Sequence, residues 1–349
     1  MKFQSTTSKL GEVRYRSKIV KQQLGESKVN KNEMSPEEFK RMLSQKLQST
    51  RKIFKFLQKK GFVLSPYLEI GSEHALRPSL LESEFEAKGF ASDISFYSLS
   101  HSQKFTKLFG FRKSPRTICA DAYTLPFKSN SFPFVFIYET LHHFPDPLPP
   151  LLEAHRVLAP GGICLVGSDP IKQSFKIRLW HRPNKLRPWE KILKFLLILP
   201  FISNIGKTEV EEGILERTFS LKTWQNALSV FDKVEVTMKA FPFGPTQTVE
   251  KNYNKNWIFP KLKTQIALHL FGGGLEAICT KNGKFSNFNK SLKQLLICPD
   301  CLKHKKKERL LSQISRISYK CKSCHAIYSE KKRVLVLLES NLNKKLKIQ

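Results

Sequence analysis

The 349-residue sequence predicts an α/β protein, a doubly wound and mostly parallel sheet with a small cysteine-built module near its C-terminal end. Two observations predict it. Between residues 63 and 168, short apolar runs (Tyr67 to Ile70, Gly89 to Ile94, Arg116 to Ala120, Phe132 to Tyr138, Gly162 to Gly167) alternate with helical patterns, as βαβ units require. Further on, Cys298-Pro299-Asp300-Cys301 is followed, after nineteen residues, by Cys321-Lys322-Ser323-Cys324. Two Cys-x-x-Cys turns at this spacing aim four thiolates at one ion, and a closed four-sulfur zinc site builds structure, since it leaves no position for water.

Composition bounds the rest. The length exceeds one ordinary domain, and 40% hydrophobic residues with 27 Phe exclude global disorder. No apolar run is long enough to span a bilayer and the N-terminus lacks a secretory signal, so the expected location is cytoplasmic. Cys119, Cys164 and Cys279 then read as small buried hydrophobes. A net charge of +31 would attract RNA, DNA or an anionic membrane, but the lysines are spread along the chain, which is also what a lysine-biased composition gives.

Residues 1–34 are polar and basic without periodicity and read as a flexible arm. Ser35-Pro36-Glu37-Glu38 supplies a capping box with proline at the first helical position, and Phe39, Leu43, Leu47, Phe54 and Leu57 continue a helix that Gly61 ends. The first strand closes in Glu69-Ile70-Gly71-Ser72, a turn into a helix expected over Pro78 to Ala87, where backbone N–H groups can face an anionic ligand group. Asp93 ends the second run 22 residues after Gly71, suited to a ribose diol, and Asp121 closes the third, suited to an adenine amino group.

At these residues the chain resembles the class I S-adenosylmethionine-dependent methyltransferases, in particular the group that includes the ubiquinone- and menaquinone-biosynthesis enzymes. The resemblance covers residues 63 to 168 and is carried by LEIGS, ASDIS, ADAYTLPFKSNSFPFVFIYETLHHFPDP and EAHRVLAPGGICLVG. It implies a Rossmann-like seven-stranded sheet, with Glu69 and Gly71 at the methionine end of the cofactor, Asp93 at the ribose, Asp121 and Ala122 at the adenine, and Glu139 facing the donor methyl and the acceptor. Two departures stand out. Glu73 and Ala75 replace glycines of the family's loop, and Pro133 replaces its usual aspartate. His142 and His143 suit a general base as well as a loop-structural role, because imidazole titrates near neutrality and the sulfonium needs no base to be reactive.

The methyltransferase domain is thus expected over 35–281, with core 63–168 and an insertion 170–270. In the insertion, Trp189 to Ile202 is apolar and flanked by Arg178, Arg182, Lys185, Arg187, Lys191 and Lys194. A buried lid helix over an apolar pocket, to which Phe241-Pro242-Phe243 and Trp257 would contribute, is the first reading, and a peripheral membrane contact the second. A lipid or quinone-like small-molecule acceptor satisfies both. After a polar linker, residues 292–340 resemble the zinc-ribbon protein that activates eukaryotic RNA and protein methyltransferases, which implies a supporting role with Cys298, Cys301, Cys321 and Cys324 on the metal. A ribosomal-RNA guanine methyltransferase with a zinc ribbon at its other end keeps RNA as the second acceptor reading, and a non-catalytic cofactor-binding scaffold is the third.

Overall fold

The computed structural model describes residues 1–27, 34–177, 179–183, 185–205, 213–240, 247–253, 262–284 and 291–348. Phe241, Pro242, Phe243, Trp257 and Arg178, named above for the insertion, lie outside the described residues. The chain forms two compact units, one of residues 1–43, 139–148 and 166–279, the other of residues 44–138, 149–165 and 280–349.

The second unit holds the sheet that the sequence announces. Strands β1 (Tyr67–Ile70), β2 (Gly89–Asp93), β3 (Arg116–Cys119) and β4 (Phe132–Tyr138) fall where the apolar runs predict, and β5 (Leu158–Ile171) begins here. β1 pairs in parallel with β2 and with β4, Leu68 facing both Phe90 and Val135, and β2 pairs in parallel with β3. The strand order β3-β2-β1-β4-β5 reverses at β1, which places the carboxyl ends of β1 and its neighbours at a topological switch point. β1 and β4 are buried along their whole length, as strands covered on both faces must be. Phe54, from helix Pro36–Lys59, is fully buried and meets Phe85, Phe134 and Phe136 edge-on, with ring centroids 5.8, 5.8 and 5.7 Å away. Such edge contacts exploit the ring quadrupoles as well as the buried area.

The cysteine module is not set apart from this sheet. Strands β11 (Leu311–Ser315), β12 (Ser318–Cys321), β13 (Ile327–Lys331) and β14 (Val334–Val336) follow one another as antiparallel neighbours, and β14 pairs in parallel with β3, Leu335 opposite Ile118. The Thr117 hydroxyl donates to the Arg333 carbonyl at 2.9 Å and Leu337 N donates to Cys119 O at 2.9 Å. The seven-stranded expectation is therefore corrected, because the module covers the edge of β3 and this unit's sheet runs β11-β12-β13-β14-β3-β2-β1-β4-β5. An uncovered parallel edge strand would leave backbone donors and acceptors unpaired. Sequence periodicity gives strands but not which edge a distant strand seeks.

In the first unit, β10 (Gly273–Thr280) pairs next to the final residues of β5 and is followed outward by β8 (Lys233–Ala240) and β9 (Gln247–Tyr253). A separate parallel pair joins β6 (Trp180–Arg182) to β7 (Ser203–Ile205). The capping box forms as predicted, Ser35 Oγ accepting from Glu38 N at 3.2 Å and Glu38 Oε2 from Ser35 N at 3.0 Å. Two expectations are corrected. Residues Thr6–Gln23 form a helix instead of a flexible arm, started by Ser5, whose hydroxyl accepts from Ser8 N. That helix has no apolar stripe, and its buried residues include Tyr15 and Glu12, the latter 2.8 Å from Arg16. The helix Pro188–Phe195 is not a buried lid helix either, since Ile192 and Phe195 are 61% and 87% exposed, whereas Leu199 in the short helix Leu199–Ile202 is buried.

Candidate active site

Two groups of chemically active side chains form, each inside one unit. In the second unit they gather at the carboxyl ends of β1, β2 and β3. Gly71 leaves β1 with φ +75°, a left-handed conformation that favours glycine, and its N–H donates to Ser92 O at 2.9 Å. The next turn keeps that character without glycine, Glu73 and Ala75 holding φ +48° and +57°. Asp93 braces it, since Oδ2 accepts from Glu73 N and Oδ1 from Ser95 N, both at 2.8 Å. Asp121 is buried and accepts from Tyr123 N at 3.1 Å, with Ala122 half-buried in the same turn. Burial and then the charges of Asp93 and Asp121 push the Cys119 thiol well up, so both carboxylates face the same neighbourhood.

Glu69 is the unusual member. It is fully buried, neither carboxylate oxygen has a hydrogen-bond partner, and the nearest cation is Arg77 Nη1 at 3.9 Å. Burial pushes its pKa up to about 8, Arg77 opposing and Asp93 and Glu73 adding to the rise. A buried carboxyl without a hydrogen bond is costly, and a ligand cation would relieve it. Three acidic side chains on adjacent strand ends, one buried without a hydrogen bond, fit a ligand such as S-adenosylmethionine that carries an ammonium, hydroxyl groups and an amino group.

The first unit holds the histidines. Glu139 takes φ +48°, and its N–H donates to Gly167 O at 2.9 Å. The following turn presents His142 to Asp169, whose Oδ1 accepts from His142 N at 3.1 Å and lies 2.9 Å from Nδ1. Asp169, near the end of β5, is fully buried. Nδ1–H is thus the donor to Asp169, leaving Nε2, 4.0 Å from Glu216 Oε2, as the nitrogen able to exchange a proton. Burial disfavours charge on His142, but the hydrogen bond and charge of Asp169, with Glu216 and Glu139, more than reverse this and raise its pKa.

His143 is held differently. Nε2 accepts from Arg16 Nη2 at 3.0 Å and Nδ1 donates to Leu215 O at 3.1 Å. Burial, then the neighbouring His142 and Arg16 charges, push its pKa down to about 3. Although His142, His143 and Glu216 lie close enough to grip a cation, Arg16 on His143 opposes one. The pair divides, with His142 equipped as an acid–base group and His143 locked as its neutral neighbour. Sequence reading missed Asp169, Glu216, Glu12 and Arg16. The one available signal was Asp169, a charge two residues beyond the apolar run that Gly167 closes.

The four cysteines converge. Cys298 and Cys324 sulfurs stand 3.4 Å apart, those of Cys301 and Cys321 3.7 Å, and all four fall within 4.8 Å of one another. A tetrahedron of metal–sulfur bonds of about 2.3 Å has edges of about 3.8 Å. Backbone N–H groups of Cys301 and Ser323 point at Cys298 and Cys321 sulfurs, both at 3.4 Å, as in metal knuckles.

Residues 68–166 match the methyltransferase domain family, so the chain carries a methyltransferase domain. Among curated relatives, demethylmenaquinone methyltransferase of Staphylococcus aureus is 44% identical over 136 residues, covering 37% of this chain and 52% of that protein. The Staphylococcus epidermidis protein of the same name is 50% identical over 58 residues, covering 16% and 24%. The chain thus spans between a quarter and a half of the length of these relatives. Similar solved structures include a SAM-dependent methyltransferase from Aquifex aeolicus (20% identity, 43% of this chain and 76% of that one, TM-score 0.29) and the YcgJ protein from Bacillus subtilis (17%, 65% and 96%, TM-score 0.36).

Proposed function

We propose that the protein transfers a methyl group from S-adenosylmethionine to a small quinone-like acceptor. The observation that carries this is the carboxyl set Glu69, Asp93 and Asp121 at the carboxyl ends of adjacent strands, with Glu69 buried and without a hydrogen-bond partner. Glu69, charged on binding, would pair with the cofactor ammonium, Asp93 with the ribose hydroxyls, and Asp121 beside Ala122 with the adenine. When bound, the cofactor would supply an electrophilic methyl on a sulfonium whose leaving group is a neutral thioether. His142, aligned by Asp169, accepts at Nε2 the proton that the acceptor loses as its nucleophilic atom bonds the methyl carbon. Glu139 stabilises the imidazolium so formed. The relatives named for demethylmenaquinone support a quinone-like acceptor.

Cys298, Cys301, Cys321 and Cys324 are assigned a structural zinc in a ribbon that supports the β3 edge. The exposed run Lys303, Lys305, Lys306, Lys307 and Arg309 on that module supports RNA as a second acceptor reading. Filter binding across a salt series separates it, because RNA affinity through phosphates falls steeply with salt. For the main reading, calorimetric titration with S-adenosylmethionine should give saturable binding that Asp93→Ala weakens severely. Absence of binding heat at millimolar ligand would remove the enzyme reading.

A further inference from the structure

The proposed reaction leaves unused an apolar surface in the first unit. Phe175, Ile177 and Leu179 stand in an irregular segment and are 68%, 69% and 65% exposed. Backbone bonds from Ile177 N to Phe201 O at 2.8 Å and from Leu179 N to Ile202 O at 2.9 Å fasten this segment to helix Leu199–Ile202. Helix Pro188–Phe195 packs on the same short helix and exposes Trp189, Ile192 and Phe195, three residues apart on successive positions of one face. Soluble surfaces carry such side chains singly, whereas here six large ones stand out within residues 175–195.

The charges of the same stretch have one sign. Residues 172–202 contain eight Lys and Arg and a single acid, Glu190. Glu190 is fully buried, its carboxylate accepting from Arg187 N at 2.7 Å and Trp180 Nε1 at 3.4 Å. The surface therefore shows Lys172, Lys176, Lys191 and Lys194 to solvent with no carboxylate of this stretch among them. Two indoles add to it, Trp180 and Trp189 lying 5.4 Å apart with the Arg187 guanidinium 5.8 Å over the Trp189 ring. Exposed aliphatic and aromatic side chains rimmed by lysines, on helices too short to span, are what a protein needs to lie in the interface of an anionic bilayer.

We propose that residues 172–202 form a docking face for anionic lipid bilayers, with Phe175, Ile177, Leu179, Trp189, Ile192 and Phe195 entering the interface and the lysines on the lipid phosphates. The face stands on its own geometry and needs no methyl transfer, so its test is independent of the reaction above. The full chain is mixed with vesicles of phosphatidylcholine alone or with phosphatidylglycerol, and bound protein is separated by flotation at several salt concentrations. The expected result is binding to the anionic vesicles that weakens as salt rises, falls by about tenfold or more in Ile192→Ser/Phe195→Ser, and falls on anionic vesicles in Lys191→Gln/Lys194→Gln. Because all four side chains are exposed, both variants should melt like the parent protein. Absence of binding to anionic vesicles overturns the proposal, as does binding unchanged in both variants. A concentration-dependent dimer that Ile192→Ser/Phe195→Ser converts to monomer, without vesicle binding, assigns the face to a second copy instead and also overturns it.

Discussion

The carboxyl set of the second unit and the histidine cluster of the first differ in how they are held. Asp93 and Asp121 at the strand ends accept from backbone N–H groups, Asp93 from residues 73 and 95 and Asp121 from residue 123, while Glu69 has no hydrogen-bond partner. His142 and His143 are held by groups far away in the chain, Asp169 at 27 residues and Arg16 at 127. The first arrangement is built on strand ends and backbone amides, which on the proposed function suits a cofactor site that does not depend on what is methylated. The second is assembled by tertiary structure and is free to differ with the acceptor. Mutations in the two regions should accordingly separate binding from turnover.

The largest effect is expected outside both. Removing zinc with a chelator, or Cys321→Ser, should lower the melting temperature by on the order of 10 °C, because β14 covers the β3 edge from inside the cysteine module. Differential scanning calorimetry with metal analysis checks this, and a protein that purifies without zinc and melts unchanged would refute the ribbon's role.

Within the comparison, Asp169→Asn should cut methyl transfer by about 10²–10⁴-fold while leaving cofactor affinity within a few-fold. The pH profile carries the sign. A base must be neutral, and His142 has a raised pKa, so activity should rise with pH through a midpoint above the usual histidine value. Removing the Asp169 charge lowers that pKa and moves the midpoint to more acid pH. A midpoint that stays in place would make Asp169 merely structural.

The carboxyl set gives a smaller and opposite signature. Glu69, with a pKa of about 8, is largely protonated at pH 7 before the cofactor ammonium arrives and ionised afterwards. Binding should release close to one proton, read as a dependence of calorimetric heat on the buffer's ionisation enthalpy, and Glu69→Gln should abolish the release and weaken binding about 10–100-fold. Linkage adds a stability test. Glu69 holds its proton more tightly folded than unfolded, so its contribution is fully present below 4.5 and is lost as pH rises towards about 8, and Glu69→Gln should flatten that slope.

The smallest expected effect is at Glu73→Gly. Relief of a left-handed φ offsets the entropy of the added glycine, so stability should stay within about 1 kcal/mol. Loss of the Glu73 charge should lower the Glu69 pKa, and proton release at pH 7 should shrink measurably.

The legibility of the chain follows the same division. Strands β1 to β4, the capping box at Ser35 and the cysteine pairs were readable because each is set by neighbours within a few residues. The helix Thr6–Gln23 was not, since its buried Glu12 and Tyr15 answer to side chains elsewhere, leaving no apolar stripe to read. Trp189 to Phe195 displays its apolar face plainly, but periodicity reports that a face is apolar and is silent on what covers it. Asp169 was hidden for the opposite reason, a single charge at the end of an apolar run having no meaning until His142 is set against it.

The central proposal, that Asp93 holds the cofactor and His142 takes the acceptor's proton, is tested most directly by pairing two variants in two measurements. The S-adenosylmethionine dissociation constant and the single-turnover rate of methyl transfer to a reduced demethylmenaquinone are determined for Asp93→Ala and His142→Gln. Asp93→Ala should lose affinity by about 10-fold or more, whereas His142→Gln should keep it within a few-fold and lose about 100-fold or more in rate, with Glu139→Gln following His142→Gln in direction. If His142→Gln loses affinity and rate in equal measure, or loses neither, the division of labour is wrong.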